Sequence, residues 1–112
     1  MTYLCLIIDA HQPIKLNKAF PYERAKRLAE GSSLIDRYFD EKLNQEVFTT
    51  LSKRCYRPVF ETVLAMILGS RNIHRPLKLA LNLSGPFLEQ AVKYDPDLLN
   101  LVKKLIDTKM VE

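Results

Sequence analysis

The sequence predicts an α/β fold in which two parallel strands are joined by a helical crossover, as at the opening of a larger α/β domain. Three observations predict it. Tyr3-Leu4-Cys5-Leu6-Ile7-Ile8 is an unbroken apolar run, the pattern of a strand covered on both faces in a parallel sheet. A second apolar run, Leu77 to Leu83, lies far downstream. Between the two, apolar residues recur at helical spacing. Strands separated by helices are most simply parallel neighbours. A parallel sheet of two strands, however, needs further strands and cover on both faces.

The first strand is expected near residues 3 to 9. It ends by about Ala10, because Pro13 has no N–H to extend a central ladder. Glu23 to Glu30 predict a short helix, with Ala25, Leu28 and Ala29 on one side and Gly31 as its stop. Asp40 is placed to cap the next helix, in which Leu43, Val47 and Leu51 form a stripe. Pro58 breaks that helix or opens another in its first turn. Val59, Phe60, Val63, Leu64, Ile67 and Leu68 form a wider stripe, with Gly69 as a stop. The second strand, residues 77 to 83, alternates leucine with Lys78, Ala80 and Asn82, so one face is more polar. Ser84-Gly85-Pro86 turns the chain, with Gly85 expected to permit a tight turn and Pro86 suited to a helix start. Two last helices follow, divided at Asp95-Pro96.

Composition narrows the function. The 112 residues fit one domain, and the net charge of +4 comes from basic residues scattered along the chain. Nucleic-acid binding wants one concentrated basic face with motif support, and neither is present. Cys5 and Cys55 form no CxxC pair. They are expected to be free, partly buried thiols of a reducing compartment, so a cytoplasmic protein is expected. No segment reads as a signal peptide or a membrane span.

Beyond periodicity, several segments carry a resemblance. "HQPIKL", His11 to Leu16, resembles the first signature region of glycoside hydrolase family 57, the amylase and 4-α-glucanotransferase family, where HQP follows the first strand. "YFDEKLNQEVF" with "KRCYRP" is similar to the stretch that follows in amylase-like members. "LALNLSGPFLEQ" resembles their second strand and its passage into a helix, and "YDPDLLNLVKKL" the segment after that. The resemblance spans Tyr3 to about Ile106. Asp9 stands where the family often has histidine or glutamine, and Lys15 where arginine is more usual.

The resemblance implies a (β/α)7 barrel whose glutamate nucleophile and aspartate acid stand on later strands, beyond Glu112. Residues 1–112 are then one partial domain: the first two parallel strands and crossover helices of an incomplete (β/α)7-type barrel. A retaining mechanism needs two carboxyl groups roughly 5 Å apart across the scissile bond. Neither position falls in this chain, so no residue here is expected to be catalytic. The substrate-binding candidates are His11 and Gln12. In parallel barrels the functional face lies at the C-terminal ends of the strands, and His11 stands just past the first strand. Gln12 can both donate to and accept from hydroxyls. Asp9 is expected to be buried and paired with Lys15 or His11, Ser84 to bond to backbone, and His74 to be exposed. The acids from Asp40 to Glu46 suit a solvated helix start.

The expected function is the N-terminal fragment of a retaining α-glucan hydrolase or glucanotransferase, contributing part of a sugar pocket and inactive alone. Its partners are an α-glucan or maltooligosaccharide in the complete enzyme, and the missing remainder of the barrel. No cofactor or metal is expected. Two rival readings are a fragment of a polysaccharide deacetylase-like, metal-dependent barrel, in which Asp9 and His11 would be ligands, and a small non-catalytic protein that binds a glycan or a partner chain.

Overall fold

The computed structural model describes residues 4–20 and 37–112. The helix expected over Glu23 to Glu30 lies outside the described residues. Strand β1 (Ile7–Ala10) pairs with β2 (Ala80–Leu83) in parallel, in register from Ile7↔Ala80 to Ala10↔Leu83. The ladder is shorter than the apolar runs. It begins where the Ala80 N–H donates to the Leu6 carbonyl at 3.0 Å, and Leu4 is 93% exposed.

A second, shorter pairing, which the sequence did not suggest, lies on the other edge of the second strand. Val111 bridges to Leu79 in parallel. The Leu79 N–H donates to Met110 O at 3.1 Å, Leu81 N–H to Glu112 O at 2.8 Å, and Glu112 N–H to Leu79 O at 3.1 Å. The spatial order is therefore β1, β2, then residues 110–112.

Register partners in a sheet share a face, and successive residues alternate. Ile8, Ala10, Leu79, Leu81 and Leu83 belong to the hydrophobic core, together with the helices. On the other face Ile7, Asp9 and Asn82 are exposed. Cys5, expected to be partly buried in the first run, is exposed, as is Cys55; both are free thiols.

Among the described residues of the crossover, Glu41 to Ser70 are helical without a break. Helix α1 (Glu41–Leu51) starts at Asp40, whose Oδ1 accepts from the Leu43 N–H at 3.0 Å. The expected stripe is displaced by one residue. Leu43 is exposed, while Asn44, Phe48 and Ser52 form the buried line. Two polar residues hold core positions because each has a hydrogen-bond partner there. A π-helical turn, Ser52–Tyr56, leads without a break into α2 (Arg57–Ser70). Proline lacks an N–H and clashes with the carbonyl four residues back. The wider turn avoids this, with Arg57 N–H bonding to Ser52 O. Pro58 thus sits in the first turn of a new helix. In α2 the buried line narrows to Phe60, Val63 and Ile67, with Val59 and Leu68 exposed. Gly69 does not stop the helix. The end falls at Ser70, whose Oγ donates to Ile67 O and accepts from the Leu77 N–H, both at 3.0 Å.

After β2, Ser84 Oγ caps helix α3 (Gly85–Tyr94) by accepting from the Phe87 N–H at 3.2 Å. Gly85 is the first residue of that helix, and a Cβ there would meet nothing within 4 Å. The tight turn expected at Gly85 is absent because β2 passes through Ser84 straight into the helix. Asp95 closes α3 and caps α4 (Pro96–Asp107). Its carboxylate also accepts from Arg57 Nε at 3.0 Å, from Arg57 Nη2 and from Ser52 Oγ, tying the π turn to the α3–α4 corner. Phe48, Phe60, Phe87, Leu98 and Leu105 fill the space between helices and sheet.

Candidate functional site

The loop after β1 carries His11 and Gln12, and it leaves the sheet beside Ser84. The Ser84 N–H donates to Ala10 O at 3.1 Å, so His11 and Ser84 stand at the same C-terminal edge. That edge is where parallel α/β folds build their sites. Strand geometry also sets what lies beneath His11. Asp9, two residues earlier, is on the exposed face and accepts from Asn82 Nδ2 at 2.9 Å. It is neither buried nor paired with Lys15 or His11, because the parallel register sets it directly against Asn82.

Three side chains from the helices hold the loop's backbone. Asn44, from α1, accepts from the Lys15 N–H at 2.6 Å and donates Nδ2 to Lys15 O at 3.0 Å. Gln90, from α3, donates Nε2 to Gln12 O at 2.7 Å. Tyr56, in the π turn, donates its hydroxyl to Gln12 Oε1 at 3.2 Å and lies 3.4 Å from His11 O. Burial pushes the Tyr56 phenol above its ordinary pKa. The loop backbone is thus held at His11 O, Gln12 O and both polar groups of Lys15 by side chains of the helices.

The two expected substrate-binding residues sit in different settings. His11 is exposed. Gln12 is 6% exposed, with its amide oxygen on Tyr56 and its amide nitrogen 3.5 Å from Pro13 O. His74 is exposed in the connection before β2. Among the described residues, no three of His, Cys, Asp or Glu gather closely enough to hold a metal ion. None of their helices is long and apolar enough to cross a membrane.

Sequence reasoning missed Asn44, Tyr56 and Gln90. Asn44 had a usable signal, since it lies four residues before Phe48 and eight before Ser52 on one helical line. Tyr56 had none, because a π turn has no reliable pattern. Glu41 is exposed in the first turn of α1, as expected of a solvated acidic helix start, and it also has partners on α3. Its carboxylate accepts from the Tyr94 hydroxyl at 2.8 Å and pairs with Lys93 at 2.6 Å.

Comparison with known proteins adds two findings. Residues 5–112 match the sequence model of glycosyl hydrolase family 57. A protein of Methanocaldococcus jannaschii named "Putative alpha-amylase" is 34% identical over 104 residues, covering 93% of this chain and 20% of that relative. The chain thus spans about a fifth of the relative's length. No solved structure matches.

Proposed function

The chain belongs to glycosyl hydrolase family 57, and from that premise we propose that it forms the N-terminal part of an α-glucan-acting barrel. It supplies the first two strands, the crossover helices and one part of the sugar pocket. His11 is the residue we place against the sugar. Gln12 is buried with its amide oxygen on Tyr56, so the part we give it is to hold the loop from beneath. The observation that carries this reading is the parallel register, which brings His11 and Ser84 to one edge. The bare polar face supports it further, since parallel sheets are covered on both faces. A barrel supplies that cover as its own interior.

The family's two catalytic carboxylates belong to later strands, by the resemblance set out above. The glycosidic bond is therefore cleaved or transferred only when the remainder of a barrel, in the same or another chain, brings them across from His11. Alone, the chain binds sugar weakly and turns nothing over. The test is incubation of the purified chain with maltoheptaose and with starch, followed by chromatography of the products. No release or transfer of glucosyl units above the blank is expected. Turnover that survives purification and is lost on replacing an acid of this chain would overturn the reading.

A further inference from the structure

Basic residues that lie scattered in the sequence meet at one end of the molecule. Helix α2 ends at Ser70, whose Oγ accepts from the Leu77 N–H just before β2. The Leu79 N–H donates to Met110 O, so the turn after α4 stands beside the start of β2. Leu64, Leu68 and Arg71 line one groove with Lys104, Asp107 and Thr108, which joins the end of α2 to the end of α4. These contacts gather Arg71, Arg75, Lys78, Lys103, Lys104 and Lys109 near the N-terminal edge of the strands, opposite the edge that bears His11. All six are exposed, and the acids among them are Asp107 and Glu112. The ion pairs among the described residues are Arg57–Asp95 and Lys93–Glu41, so none of the six cations is paired there. Around the loop of residues 11–16 the two signs are mixed instead: Asp40, Glu41 and Glu89 stand among Lys15, Lys42 and Lys93.

Two further observations bear on what the basic end meets. Aliphatic side chains stand among its cations. Leu68 is 48% exposed in the groove, and Ile73, in the connection between Arg71 and Arg75, is 60% exposed. Residues 61–79 and 103–112 contain no Phe, Tyr or Trp. Basic surfaces that hold single-stranded nucleic acid stack its bases on aromatic rings, and this end offers none. The second observation is Lys109, which has a φ of 60°. Helices commonly end on a glycine in this left-handed conformation, because a Cβ there is crowded. The chain accepts that crowding at Lys109, and the ammonium joins the other five cations.

We propose that this end of the chain docks on an anionic lipid surface. The cations lie against phosphate headgroups, and Leu68 and Ile73 enter the boundary between headgroups and acyl chains. A lipid surface answers both halves of the chemistry, the unpaired positive charge and the exposed aliphatic side chains. The His11 edge is at the other end of the strands, so the loop of residues 11–16 stays open to solution while the chain is docked.

Co-sedimentation of the full 112-residue chain with vesicles tests this. The chain should bind vesicles of equal parts phosphatidylcholine and phosphatidylglycerol, and not vesicles of phosphatidylcholine alone. Binding should weaken steeply as salt rises from about 0.1 M to about 1 M, where the screening length falls to about 3 Å. Arg71→Ala and Lys104→Ala should each raise the lipid concentration for half-binding about fivefold, as for one cation at an anionic surface. Lys109→Gly should do the same with thermal stability kept or raised, since glycine relieves the positive φ. That variant decides the question even where another fails to fold. Ile73→Ala should also weaken binding, and His11→Ala should leave it unchanged. Equal binding to both kinds of vesicle, or binding to neither, would overturn the proposal, as would variants of the basic end that bind like the parent. Inorganic phosphate should release no more chain than chloride at equal ionic strength; selective release would assign the cations to a free anion and overturn the lipid surface. A single-stranded oligonucleotide bound as tightly as the mixed vesicles, with no loss in Ile73→Ala, would overturn it in favour of nucleic acid.

Discussion

On the helix side of the sheet, Ile8, Ala10, Leu81 and Leu83 join a core that contains Phe48, Phe60 and Phe87. On the other side Ile7 is 64% exposed, and the Asp9–Asn82 pair stands in solvent. Both faces share one backbone ladder, so the ladder does not explain the difference. What differs is whether the chain supplies apolar surface to set against each face. The described crossover helices, α1 and α2, and the two last helices all pack against that one face. The lesson is that the strength of this fold sits in a helical layer, and that the polar face and the HQP edge are carried by it.

The largest test of that comparison is to remove a large side chain from each face. Phe48 is fully buried and its ring lies 5.8 Å from that of Phe87. Phe48→Ala should cost about 3–5 kcal/mol, the transfer loss plus an unfilled cavity. Ile7→Ala should stay within about 0.5 kcal/mol, as for an exposed position. Urea unfolding of both variants measures the two values. Equal costs would mean that the exposed face is covered in solution, and the contrast between the faces would fall.

A smaller effect sharpens the comparison within the helical layer. Burial pushes the Asp95 carboxyl up, but hydrogen bonds from Arg57 and Ser52 outweigh it and hold the group below the ordinary carboxylate range. A folded pKa below the unfolded one, which is about 3.9, stabilises the fold above that value. The contribution is lost as pH falls through the unfolded pKa toward the lower folded one. Arg57→Ala should cost about 1.5–3 kcal/mol near neutral pH, as for a hydrogen bond to a charged group. The gap from the parent chain should narrow as pH is taken below about 3.9. Thermal unfolding across pH 3 to 7 reads this directly. A gap that does not change with pH would assign the Arg57 contribution to packing instead of to the ion pair.

Much of this layer was legible in the sequence. Asp40, Ser84 and Asp95 are short polar residues before apolar helical runs, and all three cap helices. The parallel pairing followed from the helical crossover between two apolar runs. The stripe of α1 came out one residue off because Asn44 and Ser52 are polar, and polarity hides a buried position whose partner is distant in sequence. Asn44 meets Lys15, and Ser52 meets Asp95. The ladder of residues 110–112 was invisible for another reason. Three residues are too few to show a strand period, and their pairing depends on Leu79 and Leu81. At the site, the position of His11 could be read from the strand end. The hold on its loop could not, since Asn44, Tyr56 and Gln90 come from three separate elements.

The smallest expected effect lies on the bare face, at the Asp9–Asn82 pair. The two side chains are exposed register partners joined at 2.9 Å. In water, each group lost from such a pair regains a hydrogen bond to solvent, and the net contribution of one hydrogen bond is modest. Asp9→Ala should therefore change the unfolding free energy by no more than about 0.5–1 kcal/mol. Asp9→Asn, which keeps the acceptor oxygen, should change it less. The same substitution behaves differently wherever the face is closed over, because a buried Asn82 amide left without its acceptor costs roughly 1–3 kcal/mol. Measuring Asp9→Ala at several protein concentrations separates the two cases. A small cost at every concentration keeps the face open to water. A larger cost that appears only as concentration rises would mean that copies of the chain cover one another's bare faces, and that the polar face and the helical face are alike once the sheet finds its second layer.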